Sequence, residues 1–224
     1  MVGVPGSSPG VSTILELSYK TNYRYYSPMN KLLESFLRSD HAGEVGAVYI
    51  HKGILSIAKD PALVEFSKRH LETEKEHLRK IEEVLPASKR SKLVSIWKVA
   101  GYLLGFLPSL FGPRIVFATI EAVESFVEDH YEEQLKYLRA QNDPDQALIN
   151  LLQSCQDDEI EHKNESAIKK RSTPGILLNF WMKIVGWGSS SAVKVAKIIE
   201  ISSLLLLNNI LYIYTVLNFF YFCE

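Results

Sequence analysis

From residue 31 onward, apolar residues recur at steps of three and four, the period of a helix that buries one face. The pattern predicts helices over 31–58, 61–85, 112–141 and 144–170. Asp60-Pro61 supplies a cap followed by proline at the first helical position, and Gly112-Pro113 and Asp143-Pro144 open the later helices in the same way. No alternating stretch of useful strand length falls between them. Four long helices, with short links inside each pair, predict an all-α fold built as an antiparallel four-helix bundle. This domain is expected to occupy 31–200. Residues 1–30 form a leader rich in Gly, Pro, Ser and Tyr, with no apolar run of the kind a secretory signal needs. Its single arginine, Arg24, leaves both a targeting segment and a plain tail open.

Two stretches depart from the amphipathic period. Residues 93–111 carry one charge, Lys98, and follow Lys89, Arg90 and Lys92. This stretch barely reaches the length that crosses a bilayer, and Pro108 is expected to interrupt it. Its basic and aromatic flanks predict a membrane-facing segment between the second and third helices that lies on the lipid surface. The alternative is a hairpin packed on the bundle. Residues 201–223 carry no charge, and 201–224 read as an atypical apolar C-terminal helix. A membrane span, a fifth helix on the bundle and a gene-model artefact all stay open there. Asn208, Asn209 and Asn218 weigh against the span.

The inward stripes of the four helices are broken by polar groups. The first runs Leu37, His41, Glu44, Val48, His51, Leu55, with Glu44 flanked by Ala42-Gly43 and Gly46-Ala47. The second runs Leu63, Ser67, His70, Glu74, His77, Ile81; the third Ile120, Glu124, Val127, Tyr131, Leu135, Leu138; the fourth Leu148, Leu152, Cys155, Glu159, His162, Ser166. Glu74-x-x-His77 and Glu159-x-x-His162 each project a carboxylate and an imidazole from one helix face, since three residues rise about 4.5 Å and turn about 300°. Four buried carboxylates without partners would be prohibitively costly, and two divalent cations remove the difficulty. Oxygen-rich ligation with added imidazole suits iron or manganese rather than a structural zinc site. One Glu followed by one E-x-x-H in each half is the ferritin-like di-iron pattern. Glu128, Glu132, Glu133, Glu161 and Glu165 fall off the stripes and read as solvated.

Composition narrows the alternatives. Twenty-five Lys+Arg against 26 Asp+Glu give a net charge of −1, which argues against a nucleic-acid partner. Cys155 and Cys223 form no C-x-x-C, which removes rubredoxin-type iron sites and zinc ribbons. Gly186-Trp187-Gly188 begins like a dinucleotide loop but has Ser191 where the third glycine should stand, so no nucleotide site is expected in the chain.

Specific words carry a resemblance. Arg38-Ser39-Asp40-His41-Ala42-Gly43-Glu44-Val45-Gly46-Ala47, Glu74-Lys75-Glu76-His77, Glu121-Ala122-Val123-Glu124 with His130-Tyr131, and Asp157-Asp158-Glu159-Ile160-Glu161-His162 resemble the demethoxyubiquinone hydroxylases of ubiquinone biosynthesis. The resemblance covers about residues 31–200. It implies a di-iron monooxygenase that uses O2 to hydroxylate the ring of a polyprenyl demethoxyubiquinol. Glu44 and Glu124 would be terminal ligands, Glu74 and Glu159 bridging ones, and His77 and His162 would bind one iron each. His130 and Tyr131 would stand behind the ligands, holding one of them or moving a proton. Electrons would come ultimately from NADH, without a nucleotide site in this chain. The resemblance places the protein peripherally on the matrix side of the mitochondrial inner membrane, or on the cytoplasmic face of a bacterial inner membrane. Other ubiquinone-biosynthesis proteins, including a lipid-presenting one, would be its partners. The chain departs from the family at His51-Lys52-Gly53-Ile54, where an aromatic-x-Gly-Gln is usual.

Two other functions fit the same residues. A quinol oxidase of the alternative-oxidase kind would reduce O2 to water without hydroxylating the quinol. A non-catalytic scaffold would bind isoprenoid quinone and use the metal structurally. A rubrerythrin-like peroxidase is excluded by the missing cysteine pair, and iron storage is disfavoured by the apolar segment and tail.

Overall fold

The computed structural model describes residues 30–171 and 174–197. Helices α1 (Lys31–Leu55), α2 (Pro61–Val84), α3 (Val94–Ser109), α4 (Pro113–Arg139) and α5 (Gln146–Lys169) follow in chain order, with a short 3-10 turn at Ala87–Lys89. A further helical stretch, α6, runs over 176–197. No strand occurs among the described residues, so the all-helical bundle is observed. The leader up to residue 29 and the apolar extension 201–224 lie outside the described residues.

Local chemistry explains the helix starts. The Asn30 side chain accepts a hydrogen bond from the Leu32 amide at 2.9 Å, and Asp60 accepts from Leu63 at 2.9 Å just before Pro61. Gly112 enters α4 with φ +103°, a backbone region that disfavours a side chain, and Pro113 takes the first helical position. The expected start of the fourth bundle helix at Asp143-Pro144 is corrected. The cap of α5 is Asp145, whose carboxylate accepts from Ala147 and Leu148 at 3.1 Å, leaving Pro144 outside. Pro108 does not split α3: the helix ends at Ser109, one residue later, so the proline falls at its end rather than in its middle. The helix over 176–197 is an element that the periodicity did not predict.

Two apolar clusters bracket a polar middle layer. One joins Leu37, Ile81, Leu85, Leu135 and Leu152, all but shut off from solvent. The other joins Ile54, Leu63, Phe66, Phe117 and Ile120 at the opposite end. Each such side chain contributes roughly 1.5–3 kcal/mol on burial. These clusters fix the register of α1, α2, α4 and α5, and so the height at which their polar groups meet. α6 is tied to α4 by a hydrogen bond of 2.8 Å from the Trp181 indole to Thr119 Oγ1.

α3 packs along α1 as a single helix. Gly101 lies against the Gly46 backbone, Gly105 against Ile50, and Gly53 against Tyr102 and Phe106. Gly46, two residues from Glu44, thus admits a close helix approach. The other face of α3 leaves Ile96, Val99, Leu103, Leu107, Leu110 and Phe111 exposed. No described helix is long and apolar enough to cross a membrane.

Replacing Gly105 by Ala would drive a methyl group into the Ile50 carbonyl, so α1 and α3 must part. Thermal unfolding should show a loss of about 1–3 kcal/mol. Gly43→Ala, whose added methyl meets nothing within 4 Å, should be neutral or mildly stabilising.

Candidate metal centre

Glu44 on α1, Glu74 and His77 on α2, Glu124 on α4, and Glu159 and His162 on α5 all reach the polar middle layer, none more than 5% exposed. They form two overlapping groups. Glu44, Glu74, His77 and Glu159 make one, Glu74, Glu124, Glu159 and His162 the other, and within each group one donor atom per residue lies within 4.8 Å of the rest. Glu74 and Glu159 belong to both groups. The structure therefore brings together all six residues singled out from the sequence, with two carboxylates shared and two unshared.

The donor atoms converge, and several of them find no hydrogen-bond partner there. His162 Nδ1 stands 3.1 Å from Glu74 Oε1 and 3.2 Å from Glu159 Oε2, yet neither contact has hydrogen-bonding alignment. His77 Nδ1 reaches Glu159 Oε1 at 3.1 Å, with Glu74 and Glu44 oxygens at 3.7 and 3.8 Å. Glu44 Oε2, both oxygens of Glu74, Glu159 Oε2 and His162 Nδ1 are buried with no hydrogen-bond partner. Buried polar atoms are ordinarily paired, and a shared cation explains several orphans aimed at common points. Four carboxylates facing two imidazoles fit a pair of divalent cations in charge as well as in donor type.

The electrostatics carry the same signature. Burial raises Glu44 well above the usual carboxylate range, and burial together with the neighbouring Glu159 and Glu74 charges raises Glu124. For Glu74 burial acts upward, but the imidazoles of His162 and His77 outweigh it and hold the group well below that range. Burial alone would lower both histidines, but Glu159 and Glu74 lift His162 to about 10 and His77 higher still.

Around this layer stand His130 and Tyr131, which the sequence singled out, and Asp158, Asp40, Ser39 and Gln134, which it did not. Asp158 Oδ2 accepts from His77 Nε2 at 2.9 Å, turning the Nδ1 edge inward. The Tyr131 hydroxyl donates to Glu44 Oε1 at 2.6 Å. His130 Nε2 lies 3.1 Å from Asp40 Oδ1 and 2.9 Å from Ser39 Oγ, while Gln134 donates to Asp40 at 2.7 Å. His130 and Tyr131 are thus adjacent in sequence but differently engaged, Tyr131 on a carboxylate of the cluster and His130 on a separate polar set. Asp40 and Asp158 sit inside the diagnostic words, next to or near the glutamates, which is the one local signal that could have flagged them.

Glu165 is corrected: it is half-buried rather than solvated, receiving hydrogen bonds from His70 Nε2 at 2.9 Å and Arg69 at 2.6 Å. Glu128 is likewise half-buried, paired with Lys163. Burial pushes His70 down to about 4 and His51 to about 3, so both are neutral near pH 7.

A cavity of about 400 Å³ opens onto the cluster between α1, α3, α4 and α6. Ala47, Trp97, Leu104, Val127, Ile184 and Ala192 make its walls, and Glu44, Glu124 and Glu159 stand at its polar end. The residues of α6 that form one wall were not anticipated.

In the metal-free protein the two histidines hold protons at neutral pH, and Glu44 and Glu124 resist ionisation. Metal ligation needs the deprotonated forms, so binding must displace protons and weaken as pH falls. Calorimetric titration with Mn(II) in buffers of different ionisation enthalpy should show release of about two protons or more per metal pair. The apparent affinity should rise from about pH 6 to about pH 8.

A family model described as ubiquinone biosynthesis protein COQ7 matches residues 31–196. A Dictyostelium discoideum protein named NADPH-dependent 3-demethoxyubiquinone 3-hydroxylase, mitochondrial, is 34% identical over 134 residues, 59% of this chain and 62% of its own length. A Caenorhabditis elegans protein of the same name is 34% identical over 135 residues, 58% of this chain and 72% of its own. A Rhodospirillum rubrum 3-demethoxyubiquinol 3-hydroxylase is 32% identical over 137 residues, 59% of this chain and 63% of its own. The similarity thus spans less than two thirds of the length of the first and third of these relatives. With the family model matching most of its length, the chain belongs to the ubiquinone biosynthesis protein COQ7 family.

Proposed function

We propose that the protein is a di-iron monooxygenase that hydroxylates the ring of a polyprenyl demethoxyubiquinol with O2. The observation that carries this reading is the apolar cavity of about 400 Å³ that ends on three carboxylates of the buried cluster. An apolar wall suits an isoprenoid-bearing quinol, and the polar end stands where its ring would meet the reacting centre. The relatives named 3-demethoxyubiquinone or 3-demethoxyubiquinol 3-hydroxylases support the substrate class.

Glu44, Glu74, His77, Glu124, Glu159 and His162 would hold two irons, Glu74 and Glu159 being common to both ligand groups. Such a pair, when bound, supplies the two-electron reduction of dioxygen. The chain's own residues do the rest. Tyr131 holds Glu44 through its hydroxyl, and Asp158 fixes the His77 ring. His130, against Asp40 and Ser39 beside the cavity, is placed to hold or pass a proton at Nε2. The apolar walls of α3 and α6 exclude water from the polar end.

The outer rim of the same elements accounts for access. The exposed face of α3 and Ile176, Leu177, Phe180 and Trp187 of α6 present apolar surface on the two helices that wall the cavity. Lys52 and Lys98 flank Tyr49 near this face, and Arg114 is exposed just beyond it. This combination suits a peripheral membrane surface from which a lipid substrate enters. A mitochondrial location follows the relatives named mitochondrial, with the matrix face of the inner membrane as the specific placement. NADPH, the donor in those names, replaces the expected NADH as the ultimate reductant. A lipid-presenting protein of the same biosynthesis would be a partner at this rim. Residues 31–200 would form one ferritin-like domain.

Reduced, iron-loaded protein mixed with ¹⁸O2 and a short-chain demethoxyquinol in a single-turnover assay tests the reading. The hydroxylated quinol should carry one ¹⁸O atom, and Glu159→Ala should lose that product. Oxidised but unhydroxylated quinol, with label only in water, would identify a quinol oxidase instead.

A further inference from the structure

The two histidines of the cluster are supported in different ways. His77 has Asp158 behind its ring, hydrogen-bonded at 2.9 Å. His162 has no such carboxylate behind it among the described residues. Its ring meets that of His70, with centroids 3.8 Å apart and planes at 35°. His70 in turn meets Phe66 at 3.9 Å and 32°. Two rings that close to one imidazole must lie on its opposite faces, so His70 is held between Phe66 and His162.

The edge of His70 is fixed as well. Its Nε2 donates at 2.9 Å to Glu165, whose other oxygen accepts from Arg69 at 2.6 Å. The carboxylate only accepts, which assigns the proton to Nε2. His51, 5.6 Å from His70, and Phe117, edge-on to Phe66 at 5.2 Å, close the layer from α1 and α4. The His70 ring therefore cannot turn without breaking the Glu165 bond or clashing with Phe66.

We propose that His70, anchored by Glu165, is a positioning residue that holds the His162 ring by stacking and makes the two metal positions unequal. The proposal rests on the reading of the cluster as a two-metal centre. A carboxylate accepting from the far nitrogen of a metal-bound imidazole fixes its tautomer and strengthens it as a ligand. Stacking fixes only the ring plane and adds no such basicity. The position served by His77 and Asp158 is therefore the tighter, and the one served by His162 and His70 the weaker. His70 acts through His162 and touches no substrate.

The test is a titration of the full-length protein with Co(II), following both the binding steps and the visible absorption of each bound ion. The wild type should take up two ions in two resolved steps. His70→Leu, which keeps apolar volume but removes the ring, should weaken the second step about tenfold and change its absorption, leaving the first step in place. Glu165→Ala, at a half-exposed position that folding tolerates, should produce the same selective change to a smaller extent. Asp158→Asn should weaken the first step instead. Unaltered steps in both His70→Leu and Glu165→Ala would overturn the proposal. So would equal weakening of both steps, or loss of the same step in His70→Leu and Asp158→Asn. A wild-type protein that takes up no Co(II) would instead overturn the two-metal reading beneath it.

Discussion

Four carboxylates buried in the waist of an apolar helical bundle are the constraint on which the rest depends. Glu44, Glu74, Glu124 and Glu159 face two imidazoles inside a layer that water hardly reaches. Each ion taken from water into such a layer loses several kcal/mol of solvation, and two imidazoles cannot return it all. The same burial pushes Glu44 and Glu124 up from the usual carboxylate range, while the glutamates push His77 and His162 up. Two divalent cations would answer better, because they would satisfy charge and the orphaned oxygens together. The surrounding architecture is what makes this layer possible. Apolar clusters at either end lock the helix registers, and short capped links keep the pairs aligned.

That layer was legible in the sequence because a helix stripe is a strong expectation. A glutamate at position 44 or 124 is conspicuous only against stripe neighbours such as Val48, Ile120 and Val127 one turn away, and E-x-x-H repeats the anomaly on the partner helices. The starts of α2 and α4 were equally legible, since Asp60-Pro61 and Gly112-Pro113 are local signals, and that of α1 followed from the period. The start of α5 was misplaced because two aspartates lie two residues apart, and only the observed amide bonds distinguish Asp145 from Asp143.

Other features were hidden for physical reasons. The stretch 176–197 contains Gly186, Gly188 and three consecutive serines, all poor helix formers, so propensity argues against the helix that forms. Packing overrides it: small residues let the backbone approach the cavity, and Trp181 pins it to Thr119. Glu165 and His70 are separated by 95 positions, and no period within one helix reveals that they meet. Gly101 and Gly105 of α3 carry no signal of their own within an apolar run, yet they are the contact surface against α1.

The same helices that close the bundle also connect it to its surroundings. α3 turns glycine toward α1 and aliphatic side chains outward, so one amphipathic element seals the cavity and presents an apolar face. The carboxylate layer thus lies at the polar end of a cavity with apolar walls. The most direct test of the account is an anomalous-scattering map of crystals of the full chain soaked anaerobically in Fe(II). Two peaks should appear, each contacted by one histidine, with Glu74 and Glu159 shared between them. A single peak away from these carboxylates, or none within the layer, would contradict it.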